Sequence, residues 1–193
     1  MKGILKEKGK FFVVPVGRAL VKMGFTPEVL TALGLLFAVG AGILFAAGHI
    51  RYGALLVLVA GLLDSADGTV ARLKGTVSPA GAFLDSAVDR YCEAVIFCGL
   101  LVHYLALGRH GLALLTFLAL CGAFFVSYMR ARMEGLGKEC RVGLLEREDR
   151  VIVLALGGFF GETGIQVSLW VLAVLSHFTA IQRMRYGVTV LRD

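Results

Sequence analysis

Residues 62–90 read LLDSADGTVARLKGTVSPAGAFLDSAVDR. Two apolar arms flank a short polar turn at Gly75–Ser78, and each arm carries two acids: Asp64 and Asp67, then Asp85 and Asp89. Asp64 and Asp67 are spaced i, i+3, and Asp85 and Asp89 i, i+4, so each pair shares one face of a helix. The turn makes the two helices antiparallel neighbours, and the four carboxylates converge on one point. Asp64 lies about 12 Å along a helix from Arg72, and Asp89 about 15 Å from Pro79, at 1.5 Å per residue. Both pairs therefore sit at similar depth below the turn.

The surrounding chain is unusually apolar. Of its 193 residues 58% are hydrophobic, well above the share in soluble domains, and the excess lies in long runs. Six apolar segments follow, near 27–48, 52–73, 79–107, 111–133, 150–160 and 165–186, the fifth being the shortest unless its helix starts earlier, in the charged EREDR stretch. Thr26 and Ser78 precede prolines at the first helical positions of the first and third. The fold class expected is an all-α polytopic membrane protein: six transmembrane helices (26–193) preceded by an amphipathic juxtamembrane helix (1–25), in a single domain over 1–193. No signal peptide stands out in the basic, patchily apolar first stretch.

The formal net charge is +6. Its distribution points to a membrane rather than to nucleic acid. Lys2, Lys6, Lys8, Lys10, Arg18 and Lys22 precede the first span, and Arg72 and Lys74 lie between spans two and three. Arg130, Arg132, Lys138, Arg141, Arg147 and Arg150 lie between four and five, and Arg183, Arg185 and Arg192 at the C-terminal end. The opposite side receives only Arg51 and Arg109. This asymmetry places both termini and the acidic site on the cytoplasmic side of the cell membrane. Cys92, Cys98, Cys121 and Cys140 form no CxxC pair and are expected to be free.

A carboxylate at the bilayer centre costs roughly 2.5–3.5 kcal/mol, and four left bare on the order of 10 kcal/mol. Salt bridges to Arg72, Arg90 and the basic loop are one way to offset this. A divalent-metal site is the stronger reading, because all-oxygen ligands suit Mg²⁺, Mn²⁺ or Ca²⁺. Four acids suffice for two ions, an arrangement that favours phosphoryl chemistry.

Asp64, Asp67-Gly68, Ala71-Arg72, Gly81, Asp85 and Asp89 reproduce the pattern D-x2-D-G-x2-A-R-x8-G-x3-D-x3-D. In this the chain resembles the CDP-alcohol phosphotransferase family. The resemblance implies that a CDP-linked lipid, CDP-diacylglycerol or an ether analogue, is attacked at its β-phosphorus by the hydroxyl of a polar alcohol, with release of CMP. It implies that Asp64, Asp67 and Asp85 hold Mg²⁺ or Mn²⁺, two ions in all. Asp89 would be a further ligand or the catalytic base, and Gly68, Ala71, Arg72 and Gly81 would line the CDP-lipid site. It also implies a homodimer.

The stretch SYMRARMEGLGKECRVGLLEREDR, 127–150, is dense in arginine. Arginine forks bind phosphate oxygens at two points, which favours an acceptor that itself carries phosphate. The Ser127-Tyr128-x-x-Ala131-Arg132 and Glu146-Arg147-x-x-Arg150 runs resemble the branch of the family that makes phosphatidylinositol phosphate. The acceptor implied is inositol 1-phosphate, its phosphate held by Ser127, Arg130, Arg150 and Arg183. Glycerol 3-phosphate is the rival acceptor, and a cation transporter using buried aspartates the rival from another class. His49 and His110 read as solvated loop residues, and His103 and His177 as hydrogen-bonded core residues. Gly34, Gly40 and Gly42 permit close helix contact.

Overall fold

A computed structural model of the chain describes residues 14–192. The first part of the predicted N-terminal segment, with Lys2, Lys6, Lys8 and Lys10, lies outside the described residues. Within them every regular element is helical: α1 (14–22), α2 (Pro27–Ala46), α3 (Ile50–Lys74), α4 (Pro79–Ala106), α5 (His110–Glu134), α6 (Arg147–Phe159) and α7 (Gly161–Val190). The described part of the N-terminal segment is the helix α1. Gly17 fits beneath Thr69, and Leu20 and Val21 pack on Leu30, Ala66 and Val70, while Arg18 and Lys22 face outward.

Helix ends follow local chemistry. The Thr26 and Ser78 side chains cap α2 and α4, each with proline in the first turn. Gly75, in the left-handed region at φ 66°, ends α3. The amides of Gly75 and Thr76 then bond back to Arg72 and Ala71, which permits the sharp reversal into α4. The fifth segment begins earlier than its apolar run suggests, at Arg147. Glu146 and Asp149 form a reciprocal capping box there, so polar residues nucleate the helix. The sixth segment also extends further, because only Phe160 separates α6 from α7.

Helix packing closes a ring in the order α2, α3, α6, α7, α5, α4 and back to α2. This corrects one expectation. α3 and α4 run in opposite directions but do not pack closely on each other; both lean on α2. Glycine explains the α2–α4 side of this. Gly42 and Gly99 face each other so tightly that a Cβ on either would collide with backbone, so α4 is drawn onto α2. Gly61 and Gly158 likewise admit Val151 and Ala54 at the α3–α6 seam. A gap therefore remains between α3 and α4 at the turn end, where their acids face.

The surface is inverted relative to a soluble protein. Leu36, Ile43, Leu62, Phe117, Trp170 and Val174 point outward, as an apolar solvent requires. Four helices, α2, α3, α5 and α7, are long and apolar enough to cross a membrane. α4 has the length but carries Asp85, Asp89, Arg90 and Glu93. The 13 residues of α6 extend about 20 Å, short of a hydrocarbon core of about 30 Å. All four cysteines are free. At the end of the ring opposite the acids, buried His103 meets Glu162 at 3.3 Å; His177 bonds the Ala173 carbonyl; His49 and His110 are exposed.

Candidate active site

Asp64 and Asp67 of α3 and Asp85 of α4 each bring a carboxylate oxygen within 4.8 Å of the others. Asp67 lies deepest, 4% exposed. Its Oδ2 accepts a 2.7 Å hydrogen bond from the Thr31 hydroxyl of α2. Among the described residues no arginine, lysine or histidine forms an ion pair with Asp67 or Asp85. A carboxylate removed from water without a cationic partner costs several kcal/mol. A cluster of hard oxygen donors, two of its three members without a cationic partner among the described residues, is the donor set of Mg²⁺ or Mn²⁺, so these residues fit a divalent ion.

Asp89 stands outside that trio. Arg147, at the first position of α6, ties it to a member of the trio: its Nη1 lies 2.5 Å from Asp64 Oδ2 and 2.9 Å from Asp89 Oδ1, bridging the two. Arg90 adds a 3.2 Å contact to the other oxygen of Asp89. Two of the four acids are thus salt-bridged, as the competing reading of the sequence required, though chiefly through Arg147. The other two are not.

The acids open into a cavity of about 330 Å³. Its acidic wall is Asp64, Asp85 and Asp89. Its far wall holds Ser127, Arg130, Arg147, Arg150 and Arg183, contributed by α5, α6 and α7. The four residues expected to hold an acceptor phosphate therefore share one space with the aspartates. Their states differ. Arg130 is half exposed and bonds Glu134 at 2.8 Å. Arg183 commits Nε and Nη1 to the carbonyls of Val142 and Val126, at 2.9 and 2.7 Å, which anchors the 135–146 loop on α7. Arg150 is buried on Glu93 and reaches Ser127 Oγ at 3.5 Å.

The residues expected to meet the CDP-lipid are placed elsewhere. Gly68, Ala71, Arg72 and Gly81 do not line this cavity. They continue the acidic faces toward the turn, with Arg72 bonded to Thr69 and laid over Gly68. Three residues were missed. Arg147 lies in the Glu-Arg-x-x-Arg run, where the sequence marks it only as part of the basic loop. Glu93 continues the Asp85, Asp89 spacing by one more turn. Thr31 gives no signal, because it reaches Asp67 from a different helix.

A family model described as CDP-alcohol phosphatidyltransferase matches residues 25–181. The phosphatidylinositol phosphate synthase of Mycobacteroides abscessus is 35% identical over 193 aligned residues, covering 95% of this chain and 87% of the relative. The archaetidylinositol phosphate synthase of Methanothermobacter thermautotrophicus is 38% identical, covering 86% and 84%. Among solved structures, the phosphatidylinositol phosphate synthase of Mycobacterium tuberculosis with CDP-DAG bound superposes with a TM-score of 0.80 at 33% identity, covering 91% of this chain and 92% of that one. The same enzyme has been solved in complex with manganese and citrate, with a TM-score of 0.81 at 33% identity, covering 92% and 89%.

Proposed function

This chain belongs to the CDP-alcohol phosphatidyltransferase family, and we propose that it transfers a phosphatidyl-type group from a CDP-linked lipid to inositol 1-phosphate. The observation that carries this reading is the cavity in which Asp64 and Asp85, two of the three aspartates with metal-site spacing, share a space with Ser127, Arg130, Arg150 and Arg183, with Asp67 buried behind them. An acceptor with its own phosphate needs such a cationic wall. A cation path does not, and Arg147 standing on Asp64 and Asp89 would obstruct one.

Asp64, Asp67 and Asp85 hold Mg²⁺ or Mn²⁺ in this reading, two ions in all, with Asp89 beside them. Bound divalent ions supply Lewis-acid neutralisation of the charge that develops as CMP departs. Thr31 orients Asp67 through its hydrogen bond. The arginine wall fixes the acceptor phosphate, so the acceptor hydroxyl lies toward the acids. Asp89 lines the cavity and takes the hydroxyl proton. The hydroxyl oxygen forms a bond to the lipid-bearing β-phosphorus as the bond from that phosphorus to the CMP oxygen breaks. The electron pair leaves on CMP, and a phosphodiester remains. Gly68, Ala71, Arg72 and Gly81 receive the cytidine diphosphate from the turn side, and the lipid tails stay in the bilayer.

In this reading the chain is one domain with six membrane-crossing helices, α6 and α7 packing side by side after the reversal at Phe160. The basic bias of the α3–α4 and α5–α6 connections puts both termini and the cavity on the cytoplasmic side. The homodimer implied by the family resemblance is part of this reading, and light scattering of the detergent-solubilised protein tests it. The function is tested by incubating purified protein with CDP-diacylglycerol, Mg²⁺ or Mn²⁺ and an acceptor. CMP release that requires inositol 1-phosphate is expected; release with glycerol 3-phosphate alone overturns the acceptor.

A further inference from the structure

Asp85, Asp89 and Glu93 follow at one acid per turn along a single stripe of α4. The first belongs to the carboxylate trio, and the second pairs with Arg147 and Arg90. The third has no place in the chemistry above, yet it is 5% exposed. Arg150 donates both Nε and Nη2 to Glu93 Oε1, at 2.8 and 2.6 Å. Arg90 Nε stands 3.6 Å from Oε2. Arg150 is itself 2% exposed, and its Nη1 is buried with no hydrogen-bond partner.

A buried donor without a partner is rare in a finished structure. Here it belongs to Arg150, a residue that lines the cavity. The guanidinium is planar, so fixing two of its nitrogens fixes the third. Arg90, Arg147 and Arg183 line the same cavity, and a carboxylate among these cations allows a guanidinium to remain buried. We propose that Glu93 is a positioning residue for the acceptor. It clamps Arg150 at the cavity wall with Nη1 unused, so that the acceptor's phosphate completes the guanidinium's hydrogen bonds. This rests on the reading of Arg150 as a ligand of the acceptor phosphate.

The test is steady-state kinetics of the purified protein with CDP-diacylglycerol and Mg²⁺, varying inositol 1-phosphate. Glu93→Gln keeps the volume and one oxygen but removes the charge. Its acceptor KM is expected to rise about 10-fold, the scale of losing a supporting partner behind a ligand. The donor KM should stay unchanged, and kcat should stay within about threefold. Glu93→Asp keeps the charge and should show a smaller rise in the same direction; it serves as the assay if Glu93→Gln does not fold by thermal unfolding. A folded variant with unchanged acceptor KM, or with both KM values raised equally, overturns the proposal. Arg150→Ala is run in parallel. No effect there removes Arg150 from the acceptor site, and so overturns both that reading and this one. An effect there with none at Glu93 overturns this proposal alone. In Glu93→Gln/Arg150→Ala the acceptor KM should match that of Arg150→Ala; additive effects would show that Glu93 acts independently of Arg150.

Discussion

The two walls of the cavity are built in different ways. The acidic wall comes from two consecutive helices joined by a turn at Gly75–Ser78, and its spacing repeats with the helix period. The basic wall is assembled from α5, the head of α6 and the far half of α7. Its members make different commitments: Arg150 to a buried acid, Arg183 to backbone carbonyls, Arg130 to a solvent-exposed partner. On the acidic side Arg147 and Arg90 answer Asp64 and Asp89, and Asp67 and Asp85 are left for an external cation. Charges on the basic wall are largely answered from within, and what remains open there is hydrogen-bonding capacity. The acidic wall should therefore fail all at once when altered, and the basic wall by degrees.

The largest effect is expected at Asp67. Asp67→Asn removes a ligand charge from the buried trio and should lower CMP release by more than about 100-fold, beyond the roughly 10–100-fold typical of supporting residues. Circular dichroism should show the helices intact. Undiminished CMP release would break the contrast between the walls. Chelation by EDTA should reproduce that loss in the unmodified protein, and added Mn²⁺ or Mg²⁺ should reverse it. Next comes Arg150→Ala, which leaves buried Glu93 with only Arg90, at 3.6 Å, to offset its charge. The acceptor KM should rise at least about 10-fold, and stability measured by thermal unfolding should fall by roughly 3 kcal/mol or more. Thr31→Val tests the one support that reaches the acidic wall from α2. Divalent-ion affinity, read by calorimetry, should weaken about 10-fold; unchanged affinity would show that Asp67 needs no orientation. The smallest effect belongs to the rim. Arg130 and Glu134 are about half exposed, so Glu134→Ala should shift stability by less than about 1 kcal/mol.

The same contrast explains what could be read in advance. The segment boundaries, the capped starts of α2 and α4 and the acid faces of α3 and α4 all follow from periodicity within one helix. The head of α6 lies in the charged EREDR stretch, the earlier of the two starts the sequence leaves open, because an apolar run marks a span but not the polar turn that nucleates it. Ser127, Arg130, Arg150 and Arg183 were placed through resemblance, and the structure brings them to one wall. Their individual partners were not legible: Glu93 is separated in the chain from Arg150, and Val126 and Val142 offer backbone atoms that no side-chain pattern reveals. Arg147 carried a sequence signal but no indication of which acids it would bridge.

Sequence alone determined the helical class, the order of the segments, and the fact that four acids fall on two helix faces at matching depth. These depend on neighbours within a turn or two, where the 3.6-residue repeat leaves little freedom. Tertiary structure decided which acids form the trio and which pair with Arg147. It also decided that α3 and α4 stay apart while both pack on α2, and that Thr31 reaches Asp67. Those outcomes depend on how closely glycine faces such as Gly42 against Gly99 let helices approach, a balance of sterics and charge among segments far apart in the chain.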